Sequence, residues 1–170
     1  MKLDYIKAGK ISAPHGIRGE VHIQPRDGDP AFLTRFRTFY TAPAGPALRI
    51  LRSQVHKNIL LAAIDGCQDR NAAEALCGRE LYFRREDANQ PEDRPFDDEL
   101  LDMEVFSEED GSLLGRIAAV ETYPASKVYT VRGEKEYLVP AVPGAFIRSV
   151  DLLNNRMEIH VWEGLATDEH

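Results

Sequence analysis

The chain is poor in the residues that carry the commonest covalent and metal chemistry. It has two cysteines, Cys67 and Cys77, with no C-x-x-C motif and no metal-ligand spacing. They flank a predicted helix, and buried reduced thiols are the expected state. There is one tryptophan, and the methionines number three. No apolar run approaches the length of a membrane span. The longest, ILLAAI at residues 59–64, is a strand's worth. The opening MKLDYIKAGK has Asp4 early and no apolar central region, so no secretory leader is expected. Phosphate-binding G-x-x-x-x-G-K-[ST], dinucleotide-binding G-x-G-x-x-G, zinc-protease H-E-x-x-H and hydrolase G-x-S-x-G are all missing. A cytoplasmic chain without a cofactor, resident metal or membrane contact is expected.

Positive charge is also scarce overall. The net charge of −7 argues against a simple nucleic-acid binder, but its distribution says more. Residues 1–90 hold 14 Lys and Arg against 10 Asp and Glu, a net of +4. Residues 91–170 hold 7 against 18, a net of −11. A mildly basic half can approach phosphates, whereas a strongly acidic half repels them and attracts basic proteins. An acidic surface that only maintains solubility is the simpler alternative.

What is present is a succession of short strands. YIKAGKI and EVHIQP have period-two apolar residues, with Val21 and Ile23 on one face. Asp29 caps a predicted helical turn with Pro30 in its first position and Phe32, Leu33 and Phe36 inward. TFYTA, ALRILRSQVH, ILLAAI and RELYFRR are further strands. Asp69 can cap a short helix that puts Ala73, Leu76 and Cys77 on one face and ends at Gly78. This pattern suggests a small closed β-barrel over residues 1–85. Residues 86–96 are polar, acidic and proline-containing, and read as a linker. Residues 97–170 are again β-rich, with turns at Asp110-Gly111, near Gly133 and at Asn154-Asn155. They fit a second barrel with a short tail. The expected fold is mostly β: two small barrels in tandem with short helices.

The stretch APHGIRGEVHI, residues 13–23, poses the functional question. His15 could act as a general base oriented by Glu20 in an enzyme acting on RNA. No nucleophile or metal partner lies nearby in sequence. A structural role needs fewer assumptions: Pro14 fixes one φ angle, and Gly16 and Gly19 permit backbone angles closed to other residues. Arg18 is then presented outward beside glycine amides, where it can contact phosphate or simply pair with Glu20. Both remain open on local sequence. His22 and His160 read as solvent-facing strand residues, and His170 ends the chain. The carboxylates of SEEDG are explained by solvation.

The residues also carry a resemblance. AGKISAPHGIRGEVHIQPRDGDPAFL resembles the N-terminal signature of the RimM ribosome maturation factors. IDGCQDRNAAEALCGRELYFRRED resembles that family's second block. DGSLLGRIAAVE and YLVPAVPGAFIRSVDLLNNRMEIHVWEGL resemble its C-terminal PRC-barrel domain. The four blocks occur in order along nearly the whole chain. Where many relatives have an aromatic pair before the PRC barrel, this chain has Pro95-Phe96. The resemblance implies a translation-factor-like barrel followed by a PRC barrel, no catalysis, and a chaperone-like role in late maturation of the head of the small (30S) ribosomal subunit. It implies binding of the immature or free subunit as a monomer, near 16S rRNA on the N-terminal side. On the C-terminal side it implies a ribosomal protein of the S-nineteen family (uS19). Candidate subunit contacts are His15, Gly16, Arg18 and Gly19; candidate ribosomal-protein contacts are Phe96, Phe146 and Arg148.

Overall fold

A computed structural model describes residues 1–91, 94–162 and 164–166. Residues 92 and 93 of the expected linker, Glu163, and the tail 167–170 with His170 lie outside the described residues. The chain divides into two compact units, Asp4–Asn89 and Gln90–His170, the second also taking Met1–Leu3. Among the described residues no helix is long and apolar enough to cross a membrane.

The first unit contains β1 (Tyr5–His15), β2 (Glu20–Pro25), β3 (Thr38–Tyr40), β4 (Ala47–His56), β5 (Ile59–Ile64) and β6 (Glu80–Arg84). They form a closed barrel in the order β1-β2-β5-β4-β3-β6, all pairs antiparallel. Alternation explains the lumen: Val21 and Ile23 of β2 are buried, with Ile11 of β1 and Leu60 of β5 in register on either side of Ile23. Phe39, Ile11, Ile23 and Leu81 are completely buried, each stabilising the fold by about 1.5–3 kcal/mol. Helix α1 (Pro30–Leu33) starts where Asp29 accepts a hydrogen bond from the Ala31 amide at 3.1 Å, with Pro30 as its first residue. It leads into Phe36, which stacks on Phe83 with ring centres 4.4 Å apart. Phe32, half-buried, also packs against Phe36 and Phe83, ring centres 5.6 and 5.8 Å away, with the Arg35 guanidinium 4.2 Å from its ring centre. Helix α2 (Arg70–Leu76) is capped by Asp69, whose carboxylate accepts from the Ala72 amide at 2.8 Å, and it buries Ala73. A single 3-10 turn, Arg85–Ala88, follows β6.

The strand β1 is longer than its apolar alternation predicts. Ala13, Pro14 and His15 belong to the strand, and only residues 16–19 turn. The reason lies in the pairing. Ile11 still exchanges backbone hydrogen bonds with Gly78 and Arg79, but from Ala13 on β1 pairs with β2 alone, so Pro14 interrupts no second ladder. A bulge between Ile11 and Ala13 shifts the pairing with β2 by one residue, and beyond it Ala13, Pro14 and His15 are all half-buried.

The second unit contains α3 (Asp97–Leu100), β7 (Glu104–Ser107), β8 (Leu113–Thr122), β9 (Lys127–Arg132), β10 (Glu136–Pro140), β11 (Ile147–Asp151) and β12 (Arg156–Ile159). The six strands run β10-β9-β8-β7-β12-β11, with only β7 and β12 parallel. Val105, Ile117, Val131, Val139, Ile147 and Met157 come one from each strand and share one core. The Asp110-Gly111, Gly133 and Asn154-Asn155 segments make the connections their sequences predict. Val161, expected to continue the alternation of Met157 and Ile159, lies past the end of β12. Glu99 of α3 is wholly buried. Its carboxylate accepts from the Phe96 amide at 2.9 Å and the Leu3 amide at 3.0 Å, and its carbonyl receives the Met1 amino group. The carboxylate and carbonyl of Glu99 thus hold Leu3 and Met1 to the second unit.

Candidate nucleic-acid interface

The hairpin between β1 and β2 places Gly16, Arg18 and Gly19 on one four-residue turn, with His15 as the last residue of β1 before it. Gly16 has φ +64° and nothing within 4 Å of where a Cβ would stand, so it answers to backbone conformation alone. Gly19 has φ +90°, and a Cβ there would stand 2.3 Å from the carbonyl oxygen of Cys67. The turn therefore packs backbone to backbone on the segment that leads into α2. From the first residue of α2, Arg70 donates to the Gly16 carbonyl at 2.9 Å while also meeting Glu74 at 3.1 Å. The turn is braced from below and open above. Ile17 and Arg18 are exposed at its tip, and Arg18 makes no ion pair among the described residues.

Glu20 does not pair with Arg18. Its carboxylate lies 3.9 Å from Arg52 of β4. Nor does it orient His15. The His15 Nδ1 atom shares a 2.9 Å hydrogen bond with Nε2 of His22, their rings 5.0 Å apart. His22 is thus half-buried against a second imidazole rather than simply facing solvent. One ring donates and the other accepts, so the pair cannot be doubly protonated without losing the bond. Burial, then the charges of His15 and His56, hold the His22 pKa below the usual imidazole value. Sequence reasoning missed His22, Arg52 and Arg70 as members of this surface. The hairpin register could have found the first, because Glu20 opposite His15 sets His22 on the same face two residues on.

The ribosomal-protein candidates occupy other elements. Phe96 is the residue before α3, its amide held by Glu99. Phe146 is half-buried, with its ring 5.5 Å from that of Trp162. Two residues on, Arg148 meets the Glu108 carboxylate at 2.7 Å and the Gly144 carbonyl at 3.2 Å.

Family comparisons match this architecture unit by unit. Residues 6–88 match the RimM N-terminal domain, and residues 97–165 match the RimM PRC barrel domain. The chain belongs to the RimM family. The Ribosome maturation factor RimM of Symbiobacterium thermophilum is 36% identical over 97% of this chain and 96% of its own length. The RimM of Geobacter metallireducens is 33% identical over 95% of each chain. Among solved structures, a 16S ribosomal RNA processing protein RimM from Pseudomonas aeruginosa is 26% identical, covering 94% of this chain and 98% of that one, with a TM-score of 0.46. Each RimM domain thus falls on one of the two β-rich units. The mostly β fold anticipated from the sequence is the one observed.

Proposed function

We propose that this chain is a non-enzymatic maturation factor of the small ribosomal subunit, active in the cytoplasm as a monomer and supporting 16S rRNA processing. The observation that carries this reading is membership of the RimM family across both domains, with relatives named ribosome maturation factors over nearly their whole length. In this reading the first unit lies against rRNA at the turn of His15, Gly16, Arg18 and Gly19. The exposed guanidinium of Arg18, without an ion pair among the described residues, supports that assignment, as do the neighbouring Arg52 and Arg70. The second unit holds a basic ribosomal protein, of the S-nineteen family by resemblance, through complementary potential. Phe96 and Phe146 supply apolar contact. Arg148, engaged by Glu108, acts by positioning that carboxylate.

The enzymatic alternative would need His15 as a base. Its Nδ1 is spent on His22, and Glu20 faces Arg52. That geometry favours the binding role. Cells lacking this chain should accumulate free small subunits carrying unprocessed 16S rRNA, and its expression should restore processing. A His15→Ala variant should restore it too; failure of that variant, well folded, together with RNA turnover by purified wild-type protein, would overturn the non-enzymatic reading.

A further inference from the structure

The structure assigns a further site to the C-terminal ends of two central strands of the second sheet: we propose that Glu108, Glu109 and His160 bind a divalent transition-metal ion, Zn²⁺ by the chemistry of the donors. The parallel pairing of β7 with β12 creates it. Ile159 stands in register with Ser107, so the next residue of each strand, His160 and Glu108, emerge side by side. The Glu108 Oε2 atom lies 3.3 Å from Nδ1 of His160, and Oε1 of Glu109 meets the same nitrogen. One donor atom from each of the three residues lies within 4.8 Å of the others.

The carboxylates are presented rather than loosely clustered. Each has one oxygen held by an outside group and the other turned to the imidazole. Glu108 Oε1 receives Arg148 at 2.7 Å, and Glu109 Oε2 receives the Ser107 hydroxyl at 2.9 Å. Donors of this kind, hydrogen-bonded to a ligand's second atom, fix the orientation of metal-binding groups. On the imidazole side, the His160 amide donates to the Phe146 carbonyl at 2.8 Å, and the ring stands edge-on to Trp162, centres 5.4 Å apart. One nitrogen and two carboxylate oxygens suit Zn²⁺, whose tetrahedral bonds of about 2.0–2.1 Å set donor atoms roughly 3.3 Å apart. The Glu108 oxygen already stands at that spacing from Nδ1, and the Glu109 oxygen would move away from it, leaving a fourth position for water. All three side chains are partly exposed, so an ion can enter without unfolding. On binding, the Nδ1 lone pair and the two oxygens donate to the metal, and any proton on Nδ1 leaves to solvent.

Trp162 is the single tryptophan, which makes the test direct. Co²⁺, a paramagnetic stand-in for Zn²⁺, is titrated into the full-length chain while Trp162 fluorescence is followed. Saturable quenching is expected. EDTA should reverse it, and one equivalent of Zn²⁺ should displace it. His160→Gln should abolish it, and Glu109→Gln should weaken it. Ser107→Ala should weaken binding about tenfold or more. Circular dichroism checks that each variant is folded. No saturable quenching of the folded wild type by millimolar Co²⁺, or unchanged titration by folded His160→Gln and Glu109→Gln, would overturn the site. In either case the two carboxylates serve only as a bridge for the imidazole proton.

Discussion

At the scale of single residues, the two glycines of the β1–β2 turn differ in what they satisfy. Gly16→Ala should destabilise by about 1–2 kcal/mol, the cost of a Cβ in left-handed backbone with open space around it. Gly19→Ala should cost clearly more, because the added atom also meets the Cys67 carbonyl. Urea unfolding of both variants checks the order; equal losses would mean that the close approach to Cys67 is not maintained. His22 gives a prediction with a pH sign. Its folded pKa is depressed, so the folded state binds fewer protons than the unfolded chain. Its neutral form favours folding fully above the ordinary imidazole pKa of about 6.5, and that contribution declines as pH falls from there through the folded value. A His22→Gln variant should therefore lose less melting temperature than wild type between pH 7 and pH 5. A parallel decline in both proteins would remove the imidazole pair as an acid-sensitive contact.

At the scale of elements, the short helices depend on single carboxylates. Asp69→Ala should cost about 1 kcal/mol by uncapping α2. Glu99→Ala should cost about 1–3 kcal/mol by stranding the Phe96 and Leu3 amides, read as a lower melting temperature and faster exchange of the Leu3 amide. Features set by neighbours in sequence were legible beforehand. The Asp29 and Asp69 caps, the Pro30 start and the Asp-Gly and Asn-Asn turns each follow from a few adjacent residues. The juxtapositions that need register were not. His15 meets His22 only because of the bulge after Ile11. His160 meets Glu108 only because strands some fifty residues apart pair in parallel. Glu20 illustrates the same limit: adjacency suggested Arg18 or His15 as its partner, whereas the barrel brings Arg52 from β4.

At the scale of the whole molecule, the charge division is the property most closely tied to the proposed role. A chain with +4 in one half and −11 in the other can approach RNA and a basic protein by separate surfaces. If about three phosphates are contacted, the logarithm of subunit affinity should fall with the logarithm of salt concentration with a slope of roughly −2 to −3. Phe146→Ala should reduce recovery of a small basic ribosomal protein when the full chain is used as bait, while leaving the salt slope unchanged. The most direct measurement is co-sedimentation of the full chain with free small subunits and with complete ribosomes, across a salt series, for wild type and Arg18→Glu. Wild type should bind the free subunit and not the complete ribosome, and Arg18→Glu, melting as wild type, should bind more weakly with a slope shallower by about 1. Equal affinity for both particles, or an Arg18→Glu titration superimposed on wild type, would contradict subunit maturation through this turn.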